Sequence, residues 1–167
     1  MTKTLIQAEQ KVFETGCCPR FDASLMDEHE FTWQDKRFVK GHVISFAHMP
    51  LNFGSVMTKL QNQIAKAGAN VQDGLILSNE KSSWGTDLHV AVDREIPEMN
   101  MEYISGTFLV RVFEGEFREM RTFIAKMRDY LVEKSKVASR WFFFYPYCPK
   151  CAKAYGTNYV VIFAQIA

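Results

Sequence analysis

The sequence predicts an α+β fold built from two strand–helix–strand–strand units. Three observations predict it. The spacing of apolar residues switches back and forth between the two-residue period of a strand and the 3.6-residue period of a helix. The order of these segments then recurs, with helices beginning near Phe53 and again near Phe117. Finally, 167 residues that are 47% hydrophobic and 14% aromatic suffice for one domain made of two similar halves. Such halves would be related by a pseudo-twofold axis. Their antiparallel sheets would carry the helices on one face and leave a groove between the halves.

Residues 1–37 read as an irregular N-terminal arm, polar and aperiodic, with Gly16, Pro19 and the acidic run Asp27-Glu28-His29-Glu30. Residues 38–167 read as the domain proper, in half-units of about 38–97 and 98–167. Phe38–His48 alternates as a strand, with Val43, Ser45 and Ala47 on one face and His42, Ile44, Phe46 and His48 on the other. Asn52 is an expected N-cap for a helix carrying Val56, Met57, Leu60, Ile64 and Ala67, and Gly68 suits its C-terminus. Leu75–Leu77 is a short strand, and Asn79–Gly85 a polar turn holding Trp84. In Asp87–Asp93, Leu88, Val90 and Val92 oppose Asp87, His89, Ala91 and Asp93, the polar side reading as solvated.

The second half follows the same order. Ile104–Phe113 is a strand closed by Glu114-Gly115. Phe117, Met120, Phe123, Ile124, Met127, Tyr130 and Leu131 form one face of a helix. Trp141–Tyr145 is a strand, Pro146–Gly156 a loop, and Thr157–Ile166 a final strand whose exposed edge would support a homodimer.

Charge and composition exclude several classes. Twenty Lys and Arg against nineteen Asp and Glu give a net charge of +1, too balanced for a protein that clamps phosphate backbones. No apolar run reaches the roughly 20 residues of a membrane span, nor is there a signal-peptide pattern at the start. The expected location is the cytoplasm, where four cysteines serve as thiols or metal ligands, not as structural disulfides. Serine-hydrolase elbows, phosphate-binding loops and dinucleotide fingerprints are absent from the sequence.

Cys148-Pro-Lys-Cys151 is the sharpest chemical feature. A tight turn between two cysteines converges their sulfur atoms on one point, which suits Zn²⁺. Cys17 and Cys18 are the remaining cysteines, and His42, His48 and His89 are further candidate ligands. Lys150 and Lys153 flank the pair and favour thiolate, so a redox pair is an alternative, and inert structural thiols a third. Asp87 and His89, two apart on one strand, invite a carboxylate–imidazole pairing. Glu114 ends a strand at the expected mouth of the groove. Desolvation there would fit it for general acid–base work, and a solvated strand end is the alternative. Among the many rings, Trp84, Tyr103, Phe113, Trp141, Phe143 and Tyr145, together with His48, are the candidate ligand-binding residues. Any one of them could equally be core.

The run Ile104-Ser-Gly-Thr-Phe-Leu-Val-Arg-Val-Phe-Glu-Gly-Glu-Phe, followed by an aromatic-rich amphipathic helix, resembles the second half of the GyrI-like, or AraC-effector-binding-like, ligand domains. The order of elements fits from about Phe38 to Ile166. The resemblance implies a ligand held between the two units. Many members carry an acidic residue in the strand equivalent to Trp141–Tyr145, where they meet cationic ligands. This chain carries only rings there, which turns the expectation towards a small apolar or aromatic ligand. No DNA-binding helical domain precedes the module, so it resembles the stand-alone members, some of which bind small molecules and some of which hydrolyse strained electrophiles. The expected function is therefore small-molecule binding in an aromatic-lined groove. The alternatives are a small hydrolase of a reactive electrophile, using Glu114 or a groove histidine, and a metal- or thiol-based sensor centred on Cys148 and Cys151.

Overall fold

A computed structural model describes residues 18–46, 49–82 and 84–167. In chain order its elements are β1 (Glu30–Phe46), β2 (Met49–Pro50), α1 (Phe53–Lys66), β3 (Val71–Ser82), β4 (Gly85–Val92), β5 (Met101–Glu114), α2 (Met120–Glu133), β6 (Ala138–Phe144), α3 (Pro149–Tyr155) and β7 (Tyr159–Ile166). The chain falls into two compact units: Trp33–Ser105, and Gly106–Ala167 joined by the segment before Trp33. Each carries the strand–helix–strand–strand order, with antiparallel pairing, so the protein is α+β. Among the described residues, no helix is long and apolar enough to cross a membrane.

In the unit Trp33–Ser105, β1 runs antiparallel to β4 from Phe38↔Ala91 to Ile44↔Gly85. Strand β4 in turn pairs with β3. The helix α1 buries Met57, Leu60 and Ile64 against Val39, Val43, Leu88, Val90 and Val92. Gly41 permits this approach: a Cβ there would lie 2.7 Å from Leu60 Cδ1. Asn52 precedes the helix as expected, but its side chain makes no cap hydrogen bond. Instead its Oδ1 accepts the Ile44 N–H at 2.8 Å, tying the helix start back to β1. Strand β1 begins at Glu30, eight residues before the expected Phe38. Phe31 and Trp33 already alternate with polar neighbours, and Trp33 is buried. The positive φ of Asp35, 48°, interrupts that alternation and hides the continuity.

The ends of β3 and β4 are tied by one side chain. Asp93 accepts hydrogen bonds from the Asn70 N–H and Nδ2, both at 3.0 Å. These bonds hold its carboxyl down at about 2. A depressed carboxyl pKa stabilises the fold above the unfolded value, and that contribution is lost as pH falls through the folded value. The melting-temperature difference between the wild type and Asp93→Asn is therefore expected to be full at pH 5 and to shrink from about pH 4 to about pH 2. A difference that stays constant down to pH 2 would refute the linkage.

In the other unit, β7 lies between β5 and β6, paired with both. It is the central strand of its unit and not the exposed edge expected for Thr157–Ile166. Five successive residues, Val160–Ala164, are fully buried, as a strand covered on both faces requires. On one face α2 packs Phe123, Met127, Tyr130 and Leu131 against Leu109, Phe113, Phe143, Val160 and Ile162. A 3-10 turn, Phe117–Glu119, precedes it with a reciprocal capping box between Glu116 and Glu119. On the other face lie Phe108, Phe142 and Phe163, each without solvent exposure.

Three further segments depart from expectation, the first being Asn79–Ser82, which continues β3 in its ladder with β4 in place of the expected polar turn. Pro149–Tyr155 is a helix, not a loop: Pro149 occupies the first turn and Gly156 closes it in the left-handed conformation, φ 72°. Seven residues are too few to show a helical period. The described part of the arm is ordered by specific bonds. Glu28 N–H donates to Val110 O and Val110 N–H to His29 O, both at 3.0 Å. Asp27 Oδ1 accepts from Arg111 Nε and the Val112 N–H, both at 2.9 Å.

Candidate functional site

The polar face of β1 and β4 holds a carboxylate–imidazole pair. His42 and Asp87 are register partners across the two strands. The Asp87 Oδ1 lies 2.9 Å from His42 Nδ1. Its other oxygen is 3.4 Å from Lys40 Nζ, two residues along β1 on the same face. The Asp87 side chain is 7% exposed and the His42 side chain 58%. A carboxylate only accepts, so Nδ1 carries the proton, and in the neutral ring the lone pair is on Nε2. The arrangement can therefore orient an accessible imidazole whose second nitrogen accepts a proton.

Gly85 makes room for that ring. A Cβ at Gly85 would sit 2.6 Å from His42 Cε1 and 2.8 Å from Nε2. Any side chain there would displace the imidazole. The same face continues into exposed apolar surface. Ile44 and Phe46 follow His42 at two-residue steps along β1. Both are more than half exposed, as is Trp84. Phe46 and Trp84 meet edge to face, with ring centroids 5.5 Å apart. The backbone fastens this corner, since the Ser45 N–H donates to Trp84 O at 2.8 Å. An exposed aromatic corner thus lies along β1 from the His42–Asp87 pair, with Ile44 between them. At the side of β1 facing α1, a cavity of about 280 Å³ is lined by Gly41, His42, Lys59, Gln63, Glu98 and Asn100, among others.

Asp87 and His89, expected as a pair, each have a hydrogen-bond partner on another strand. Both are buried, Asp87 at 5% and His89 at 0%, so this face of β4 is not the solvated one expected. His89 Nε2 instead meets Glu102 Oε2 at 2.5 Å, and its ring lies edge-on to Phe38. Residues two apart on a strand are separated by two rises of about 3.3 Å, whereas cross-strand partners approach to about 5 Å. Asp87 therefore finds His42 across the ladder. Nothing in the linear sequence links residues 42 and 87, and the only signal is the register itself.

The other candidates are dispersed. Glu114 is exposed and accepts a hydrogen bond from Thr157 Oγ1 at 2.7 Å. Phe113 stacks on Phe123 in the core beneath α2, with centroids 5.1 Å apart, and Phe143 is buried in the same cluster. Trp141 and Tyr145 are partly buried against it. Tyr103 is half-exposed, and partial desolvation, then the Glu95 carboxylate, raise its phenol above the ordinary value. His48 and Cys17 lie outside the described residues. Phe46, absent from the expected ligand-binding set, stands beside Trp84, and Ile44, likewise absent from it, is exposed two residues earlier on β1.

Cys18, Cys148 and Cys151 come together, their sulfur atoms all within 4.8 Å of one another. Cys148 Sγ is 3.3 Å from Cys151 Sγ, and the Cys148 N–H donates to Cys18 Sγ at 3.5 Å. Cys18, far away in sequence, is thus adjacent in space to the Cys148–Cys151 pair. These residues could hold a metal ion. No described histidine joins the group.

Comparison with known proteins adds three findings. A family model described as "Bacterial hydrolase" matches residues 8–166. The crystal structure of the EcmrR C-terminal domain is similar in fold, with a TM-score of 0.60 and 11% identity, covering 83% of this chain and 96% of that one. At that identity the likeness concerns the fold alone. No curated protein matches in sequence.

Proposed function

Since the chain belongs to the bacterial hydrolase family, we propose that it hydrolyses a small, partly apolar electrophile, with His42 as the base that activates water. The observation that carries this reading is the 2.9 Å contact between buried Asp87 and exposed His42. Asp87 holds the imidazole in one tautomer and orientation. His42 Nε2 takes a proton from water as the oxygen attacks the electrophilic carbon. The imidazolium then returns that proton to the departing oxygen, giving an acid and an alcohol from an ester, or a diol from an epoxide. Asp87 remains ionised and offsets the charge that develops on the ring. Ile44, two residues from His42 on the same face, and beyond it Phe46 and Trp84 offer exposed apolar and aromatic surface suited to holding a flat or apolar group. The balanced net charge favours a neutral substrate over a polyanion.

Purified protein should be tested with p-nitrophenyl acetate and styrene oxide in ¹⁸O-labelled water. The expected result is turnover above that of an equal concentration of free imidazole, with one labelled oxygen in the product. Absence of turnover with both classes, together with a rise in Tm on adding apolar aromatic compounds, would instead support a second reading, a binding module without catalysis. That reading draws on the GyrI-like resemblance and on the likeness of fold to the EcmrR C-terminal domain.

A further inference from the structure

We propose that Cys18, Cys148 and Cys151 form a zinc-class metal site that fastens the segment before β1 to α3. The site belongs to a different unit from the His42–Asp87 pair and does not depend on it. Tetrahedral Zn²⁺ with bonds of about 2.3 Å to sulfur places its thiolates about 3.8 Å apart. The three sulfur atoms here bracket that separation, from 3.3 Å for Cys148–Cys151 to a limit of 4.8 Å for the group. A disulfide requires about 2.05 Å, so small rotations of the side chains suit a metal better than they suit a bond between two of the three.

The surroundings are those of a built site. Cys151 is fully buried, and Cys18 and Cys148 are partly so. Cys18 Sγ accepts the Cys148 N–H, the kind of hydrogen bond that orients a ligand from behind. The Cys18 carbonyl accepts the Tyr155 hydroxyl at 2.6 Å. Tyr147 Oη accepts the Phe21 N–H at 2.9 Å. Arg20 lies over the Tyr155 ring at 4.6 Å, bringing positive charge beside a site that three thiolates would make negative. Three protein ligands leave one position of the tetrahedron for water or an exogenous ligand. Binding releases the thiol protons, so affinity rises with pH.

The test uses the full chain, stripped with chelator under reducing conditions. Titration with Co²⁺ is expected to saturate at one ion per chain with sulfur-to-cobalt charge-transfer absorption, which Zn²⁺ then abolishes by displacement. Cys17→Ser should keep this absorption, and Cys18→Ser or Cys151→Ser should lose it. Because Cys151 is buried and its variant can fail to fold, thiol counting with Ellman's reagent on wild-type protein provides an independent measure. Of the four cysteines, zinc should protect three. Absence of charge-transfer absorption, equal reactivity of all four thiols with and without zinc, or absorption that survives Cys18→Ser but not Cys17→Ser would overturn the site.

Discussion

His42→Gln is expected to lower kcat/KM for the hydrolysed probe by about 10²- to 10⁴-fold, the usual contribution of a positioned acid–base group. The side chain is 58% exposed, so the substitution should shift the melting temperature little. Loss of rate without loss of fold is the result that separates catalysis from structure. Asp87→Asn should lower the rate as well. An amide can present its NH₂ to Nδ1, which stabilises the wrong tautomer and places a proton on Nε2. Asp87 also faces Lys40 at 3.4 Å, so this variant is expected to cost stability in addition. Gly85→Ala offers a third reading of the same geometry. Its Cβ would enter the space of the imidazole, so the rate should fall although no catalytic atom has been removed. A His42→Gln enzyme with at least half the wild-type rate would remove His42 from the reaction.

Phe163→Ala should cost about 3–5 kcal/mol, the range for emptying a buried aromatic site. Phe163 has no solvent exposure. It stands on the middle strand of its unit, opposite Val110 and Phe142 in the two ladders, and its ring lies 6.4 Å from that of Phe31. With neighbours on both sides fixed by backbone pairing, the cavity has little means of collapse. For a chain of this length the corresponding fall in Tm is on the order of 10 °C. Phe163→Leu, which keeps more of the volume, should cost less, and Val137→Ala at an 81% exposed site should be close to neutral. Thermal and urea unfolding followed by circular dichroism would measure all three. A loss below 1 kcal/mol for Phe163→Ala would mean that this region repacks freely.

The elements with several turns or alternations were legible without coordinates. Met57, Leu60 and Ile64, and Phe123, Met127 and Leu131, recur at helical spacing and do form the buried stripes of α1 and α2. Short elements were not, because seven residues such as Pro149–Tyr155 contain no repeat to detect. Burial of a polar face was also hidden. Alternation in β4 marks two faces but not whether the second is covered, and Asp87 and His89 are buried because Lys40, His42 and Glu102 supply them with partners.

The candidate sites divide along the same line. Cys148 and Cys151 were identifiable as a pair because three residues of separation bring them together locally. That Cys18 joins them depends on a contact across 130 positions. Likewise Asp87 was recognisable as a candidate carboxylate, while its imidazole partner was chosen by strand register. By itself, then, the sequence determined the α+β class, the two helical stripes and the chemistry available at each candidate position, since propensity, periodicity and side-chain type are local properties. Only the tertiary structure decided which groups meet. A carboxylate–imidazole contact of 2.9 Å and a cluster of three sulfur atoms depend on distances between chain segments far apart in sequence, and those distances are set by the packing of the whole unit.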